Sequence, residues 1–145
     1  NTIDRPVPPS AWRKVGPAAV PVLTELATSP SELPIRRARA VEALSIVGGD
    51  AATETTRRIA GAADEAWDVR AAAVRGLGRL LPPDRLVAEL RPVLERDPHP
   101  NVRDVAATVL ARKGGATGCA AVRAQARRDV RPGRAPYARA LARCR

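Results

Sequence analysis

An all-α solenoid of about four stacked helical hairpins is the fold class the sequence predicts, on three observations. The first is a repeat: Asp64, Asp68, Val69, Arg70, Ala73 and Leu77 return 33 positions later as Asp97, Asn101, Val102, Arg103, Ala106 and Leu110. The second is where segments break, because Gly48-Gly49, Leu81-Pro82 and Gly114-Gly115 fall at one phase of that period. The third is the kind of hydrophobe. The 145 residues hold no Phe, no Met, one Tyr and two Trp, so the apolar mass is Ala, Val and Leu. Small side chains let helices approach closely, whereas a sheet sandwich draws on aromatic and β-branched residues.

Residues 1–16 carry Pro6, Pro8, Pro9 and Gly16, and the missing amide donors predict a proline-rich extended arm. Trp12, the one large hydrophobe there, either covers the apolar end of the first repeat or anchors a partner. Residues 17–145 then form the repeat domain, in pairs at about 17–49, 50–82, 83–115 and 116–145. In the first pair, Pro17 suits an opening turn, and Val20, Leu23, Leu26 and Ala27 trace one face. A second helix over about 35–47 buries Ala40, Ala43, Leu44 and Val47 and stops at Gly48-Gly49.

The second pair spans about 50–62, with Asp50 as its cap, and 67 or 68 to 80, with Val69, Ala73, Gly76, Leu77 and Leu80 inward. In the third, Pro83-Asp84 opens a helix carrying Leu86, Leu90, Val93 and Leu94, in which Pro92 predicts a kink. Asn101 opens its partner, carrying Val102, Ala106, Val109 and Leu110. The last pair, about 118–128 and 136–144 joined through Arg131-Pro132-Gly133, is weakly apolar, as suits a solvent-facing cap.

The run Asp97-Pro98-His99-Pro100-Asn101-Val102-Arg103, followed by Ala106, Val109 and Leu110, resembles the signature of HEAT and HEAT-like repeats; residues 64–77 repeat it without the turn proline. The resemblance covers roughly residues 17–145 and implies a right-handed superhelix whose second helices line the concave face. It also implies a scaffold that binds proteins, although HEAT-like modules occur in bilin-attachment lyases and DNA-repair enzymes too. Asp64 and Asp97 stand just before second helices, where a carboxylate accepts backbone amides or meets the Arg of a neighbouring repeat. Stacking then turns Arg70 and Arg103 into part of a ladder.

Cys119 falls in the first turn of the last pair's first helix and Cys144 in the last turn of its second, at the same end of an antiparallel hairpin. The geometry predicts a disulfide, with two free thiols as the alternative. A disulfide implies an oxidising compartment, hence a periplasmic or extracellular chain; free thiols imply a cytoplasmic one. Asn1 opens the chain in place of an initiator Met, which fits a removed export signal or a trimmed chain.

The 25 basic and 15 acidic residues give a net charge of +10, which points to an anionic partner without choosing among them. No apolar run approaches the roughly 20 residues of a membrane span. Nothing assembles an enzyme or a cofactor site. His99 is the lone histidine, Ser10, Ser29, Ser31 and Ser45 lack a nucleophile elbow, and no Gly-rich phosphate loop follows a strand. A non-enzymatic scaffold that binds a protein partner, an acidic one suiting the charge, through its concave helix face or its turns is therefore the first functional expectation. A phosphate-directed nucleic-acid binder is the second, although base-stacking aromatics are nearly absent.

The candidate contact residues are Arg37, Arg39, Arg75, Arg79, Arg112 and Trp67. The basic stripe is interrupted, since Glu42 and Thr108 are the repeat equivalents of Arg75, and Ile46 and Arg112 those of Arg79. Further arginines, at 123, 127, 128, 131, 134, 139, 143 and 145, crowd the C-terminal pair, either as a solvated cap or as a docking site for an acidic partner.

Overall fold

The computed structural model describes residues 7–131 and 135–144. Helix α1 (Pro9–Val15) leads through a 3-10 turn (Gly16–Ala19) into α2 (Val20–Thr28) and α3 (Pro34–Val47). Then come α4 (Asp50–Ala60), α5 (Trp67–Leu80), α6 (Pro83–Arg96), α7 (Pro100–Lys113), α8 (Gly115–Arg128) and the short α9 (Ala138–Leu141). Pairs α2/α3, α4/α5, α6/α7 and α8/α9 stack in chain order as a HEAT-like α-solenoid, with α3, α5, α7 and α9 packed successively in one layer.

The repeat dictates this geometry closely. The second helices begin at Pro34, Trp67 and Pro100 and end at Val47, Leu80 and Lys113, so both ends keep the 33-residue period. Leu44, Leu77 and Leu110 recur at one position and are all almost fully buried, each contributing roughly 1.5–3 kcal/mol of apolar burial. Small residues set the spacing between layers. A Cβ on Gly76 would stand 3.0 Å from the Ser45 Cβ and 3.2 Å from the Thr56 Cγ2, so a larger residue would wedge α5 away from α3 and α4.

Four sequence expectations are corrected or narrowed. Residues 9–15 are helical, not extended: Pro8 supplies an extended N-cap residue with ψ 148°, and Pro9 enters the first turn, where no amide donor is needed. Trp12 packs on the core from this helix; residues 1–6 of the expected arm lie outside those described. Asp50 is not the cap of α4. Gly49, at φ 93°, holds that position and Asp50 lies in the first helical turn. Pro92 lies inside α6, which runs from Pro83 to Arg96.

The fourth concerns the last helix, expected over 136–144 and observed only from Ala138 to Leu141. Tyr137 precedes it at φ 61°, a left-handed conformation that an L side chain adopts at a cost and that bars the helix from starting earlier. The Pro132-Gly133 part of the expected connection lies outside the described residues.

Candidate interaction surface

Two populations of arginine occupy the second helices, and the first is internal. Arg37, Arg70 and Arg103 recur every 33 residues near the starts of α3, α5 and α7. Arg70 grips Asp97 through two parallel hydrogen bonds, Nε to Oδ2 at 2.9 Å and Nη2 to Oδ1 at 3.0 Å. Arg103 repeats the grip on Asp129, with Nε to Oδ2 at 2.9 Å, and Arg37 bonds Glu65.

Each acidic residue serves two neighbours. The Glu65 carboxylate takes Arg37 while its backbone carbonyl accepts from Arg70; the Asp97 carboxylate takes Arg70 while its carbonyl accepts from Arg103 at 2.7 Å. The Asp97 carboxylate also accepts the His99 amide at 2.9 Å. The ladder thus fastens α3, α5 and α7 each to its own repeat and to the next one.

The structure therefore moves Arg37 from the contact candidates into the ladder. Its side chain is 8 % exposed, and its Nε donates to the Ala27 carbonyl at 3.0 Å. The matching acid is Glu65 rather than Asp64, which is exposed.

Asp129, which the sequence did not single out, ends the ladder. Arg131 reaches its carboxylate at 3.0 and 3.2 Å, and the Tyr137 hydroxyl donates to it as well. Arg131 also bonds Asp104 at 2.7 Å and lies over the Tyr137 ring, 5.0 Å from its centre. The hydrogen bond from Arg131, opposed by burial and helped by Tyr137 and Arg103, holds the Asp129 carboxyl well below the usual carboxylate range. Burial, then the bond to Asp129, pushes the Tyr137 phenol up to about 12.

Beyond this hub the chain returns to α8. The Cys119 and Cys144 sulfurs stand at bonding distance, 2.10 Å, with Cα atoms 5.6 Å apart, as expected, although Cys119 lies in the second turn of α8 rather than the first and Cys144 lies beyond the end of α9 rather than in its last turn. Arg123 donates to the Cys144 carbonyl at 2.8 Å beside them.

The second arginine population faces outward. Val105, Thr108, Val109 and Arg112 share one face of α7 and form the floor of a groove of about 730 Å³. Its walls are α5, with Arg75, Gly78 and Arg79, and the returning segment Ala135–Arg139. Arg75, Arg112 and Arg139 are exposed and make no ion pair among the described residues. Arg79 is partly engaged, donating to the Ser45 Oγ at 3.0 Å and lying 3.7 Å from Glu42.

Toward α3 the face changes character. Arg39 lines a smaller depression of about 340 Å³ with Glu42, Arg75 and Arg79. Of the sequence candidates, Arg39, Arg75, Arg79 and Arg112 thus share the second-helix face, and the groove adds Lys113, Arg131 and Arg139. Trp67 lies apart from them. It stacks on His99 of the next turn, with ring centres 4.6 Å apart, and stays 43 % exposed. Arg134 and Arg145 of the basic C-terminal group fall outside the described residues.

Among the described residues no helix is long and apolar enough to cross a membrane. Comparison with curated proteins and with solved structures finds no significant match for the chain. A family model for HEAT repeats matches residues 55–142, the stretch that holds the two best-matched repeats, the Arg70 and Arg103 rungs and the Asp129 hub. The chain therefore belongs to the HEAT repeat family.

Proposed function

We propose that the chain is a non-enzymatic scaffold that binds another protein through the face lined by its second helices. HEAT repeats commonly mediate protein interactions, which supports the general reading. One observation carries the choice of surface. Arg75, Arg112 and Arg139 surround an apolar-floored groove without ion-pair partners among the described residues, while the ladder arginines are fully engaged inside. Exposed guanidinium groups around an apolar floor suit a protein partner with carboxylates at its contact.

The test is chemical crosslinking in the source cell, comparing the wild type with an Arg75→Glu/Arg112→Glu variant. The expected outcome is a set of proteins held by the wild type and lost by a variant that keeps its helical spectrum. An unchanged set would move the contact to the turns. Duplex DNA that bound at low salt and was released steeply as salt rose would favour the nucleic-acid reading instead.

We extend the proposal to location. A cysteine pair at bonding distance supports work in an oxidising compartment, periplasmic or extracellular. Freely titrating thiols in protein taken from its source cell would count against it.

A further inference from the structure

We infer that the groove between α5, α7 and the returning C-terminal segment takes an extended peptide of a partner protein, carrying carboxylates on both sides of an apolar residue. This rests on the scaffold reading above and names the chemistry of the segment that would dock.

The floor fixes the apolar part. Val105, Thr108 and Val109 lie at successive positions of one α7 face, and both valines are only partly covered by the core. A side chain laid on them removes apolar surface from water on both partners. Arg112 lies at the end of that floor on α7, Arg75 stands on the α5 wall, and Arg139 stands on the opposite wall. Carboxylates flanking the apolar residue meet arginines on both sides, and planar guanidinium groups suit carboxylates in two-point geometry. Among the described residues the lining holds one acid, Asp104, and Arg131 holds it at 2.7 Å, so repulsion of an acidic guest is muted.

The groove is also held open in advance. Lys113 donates to the Gly78 carbonyl at 3.0 Å, tying the end of α7 to α5. The wall Ala135–Arg139 is fastened on one side by the Tyr137 bond to Asp129 and on the other by the Cys119–Cys144 pair. A preformed groove lowers the ordering cost of binding. Nucleic acid fits this lining poorly. Among the described residues Tyr137 is its one aromatic, and that ring is buried with Arg131 over it, a poor platform for a stacking base.

The experiment is selection of a displayed library of random dodecapeptides on the full oxidised chain. An Arg75→Glu/Arg112→Glu/Arg139→Glu variant, shown to be folded by circular dichroism, serves as the counter-selector. Affinities of selected peptides follow from fluorescence anisotropy at about 0.15 M salt. The expected winners carry net negative charge and an apolar residue, and they lose about tenfold or more in affinity on the triple variant. Replacing their apolar residue by Ser weakens them, and so does reducing the Cys119–Cys144 pair, which releases one wall.

Neutral or basic winners, no winners, equal binding to the triple variant or indifference to reduction would overturn the inference. Equal competition by poly-glutamate or by duplex DNA of matched charge would do the same. If cellular partners depend on Arg75 and Arg112 but the library yields no acidic peptides, this inference fails and the scaffold reading stands. If neither depends on the groove, both fail.

Discussion

Arg70 on α5 and Arg112 on α7 are the same kind of side chain on neighbouring second helices, with opposite surroundings. Arg70 is 4 % exposed and clamped to Asp97 and two backbone carbonyls, whereas Arg112 is exposed beside a groove with no ion pair among the described residues. The difference teaches how to read a net charge of +10. Arginines that fasten repeat to repeat are each balanced by a neighbouring carboxylate and so add no net charge to the surface a partner meets. The positive excess that matters is what remains after the ladder is subtracted, and much of it surrounds the groove and the C-terminal pair.

If that division holds, the largest effect comes from breaking a rung. Arg70→Ala leaves the Asp97 carboxylate, 5 % exposed, without its two best donors, and the expected destabilisation is about 3–5 kcal/mol in urea unfolding. Replacing both partners, Arg70→Met with Asp97→Leu, is expected to recover most of that loss, because the cost lies in the orphaned charge.

Next in size is the cysteine pair. Reduction, or Cys119→Ser with Cys144→Ser, frees the 25-residue separation it spans and is expected to cost up to about 3.5 kcal/mol on the chain-entropy view. Hydrogen exchange should locate the loss at α8 and the C-terminal segment and leave α3 and α5 unchanged.

A smaller effect is expected at the hub. Tyr137→Phe removes one hydrogen bond to Asp129 and should cost about 1 kcal/mol near neutral pH. The folded phenol titrates at about 12, above its unfolded value of roughly 10. The wild-type advantage over the Phe variant is therefore complete below pH about 10 and fades as pH rises toward 12. At the acid end the sign reverses. Asp129 titrates lower when folded, so its contribution is complete above the unfolded carboxyl value of about 3.9 and drains away below it. Thermal midpoints of the two proteins across both pH ranges check this.

Much of the fold was legible because the period acts on every level at once. Helix ends at Val47, Leu80 and Lys113 and the Leu44, Leu77 and Leu110 core row follow from spacing, and the Cys119–Cys144 pairing was expected too, although the helices around it start and end elsewhere than expected. The Arg37 rung was missed although Arg37 and Ala40 repeat as Arg70 and Ala73. Its acid partner does not keep the period: the separations are 28, 27 and 26 residues for Arg37–Glu65, Arg70–Asp97 and Arg103–Asp129. A carboxylate needs only to reach the guanidinium, so it slips along the turn where a helix start cannot.

The groove was half legible. Arg75, Arg79 and Arg112 came from the second-helix face, but Arg139 and the far wall depend on the Tyr137 turn and the fold-back of residues 135–139, which no repeat encodes. The proline-dense start was misread for a related reason. Composition suggested an arm, while the positions of Pro8 and Pro9 suit a helix entry.

The smallest expected effect completes the most direct test. Arg70→Ala and Arg112→Ala are unfolded in urea side by side, the same substitution made once in the ladder and once in the groove. The expected result is a loss of about 3 kcal/mol or more for the first and a change within about 0.5 kcal/mol for the second. Equal losses, or a larger one at Arg112, would contradict the division of the arginines into a structural ladder and an exposed set that the fold does not need.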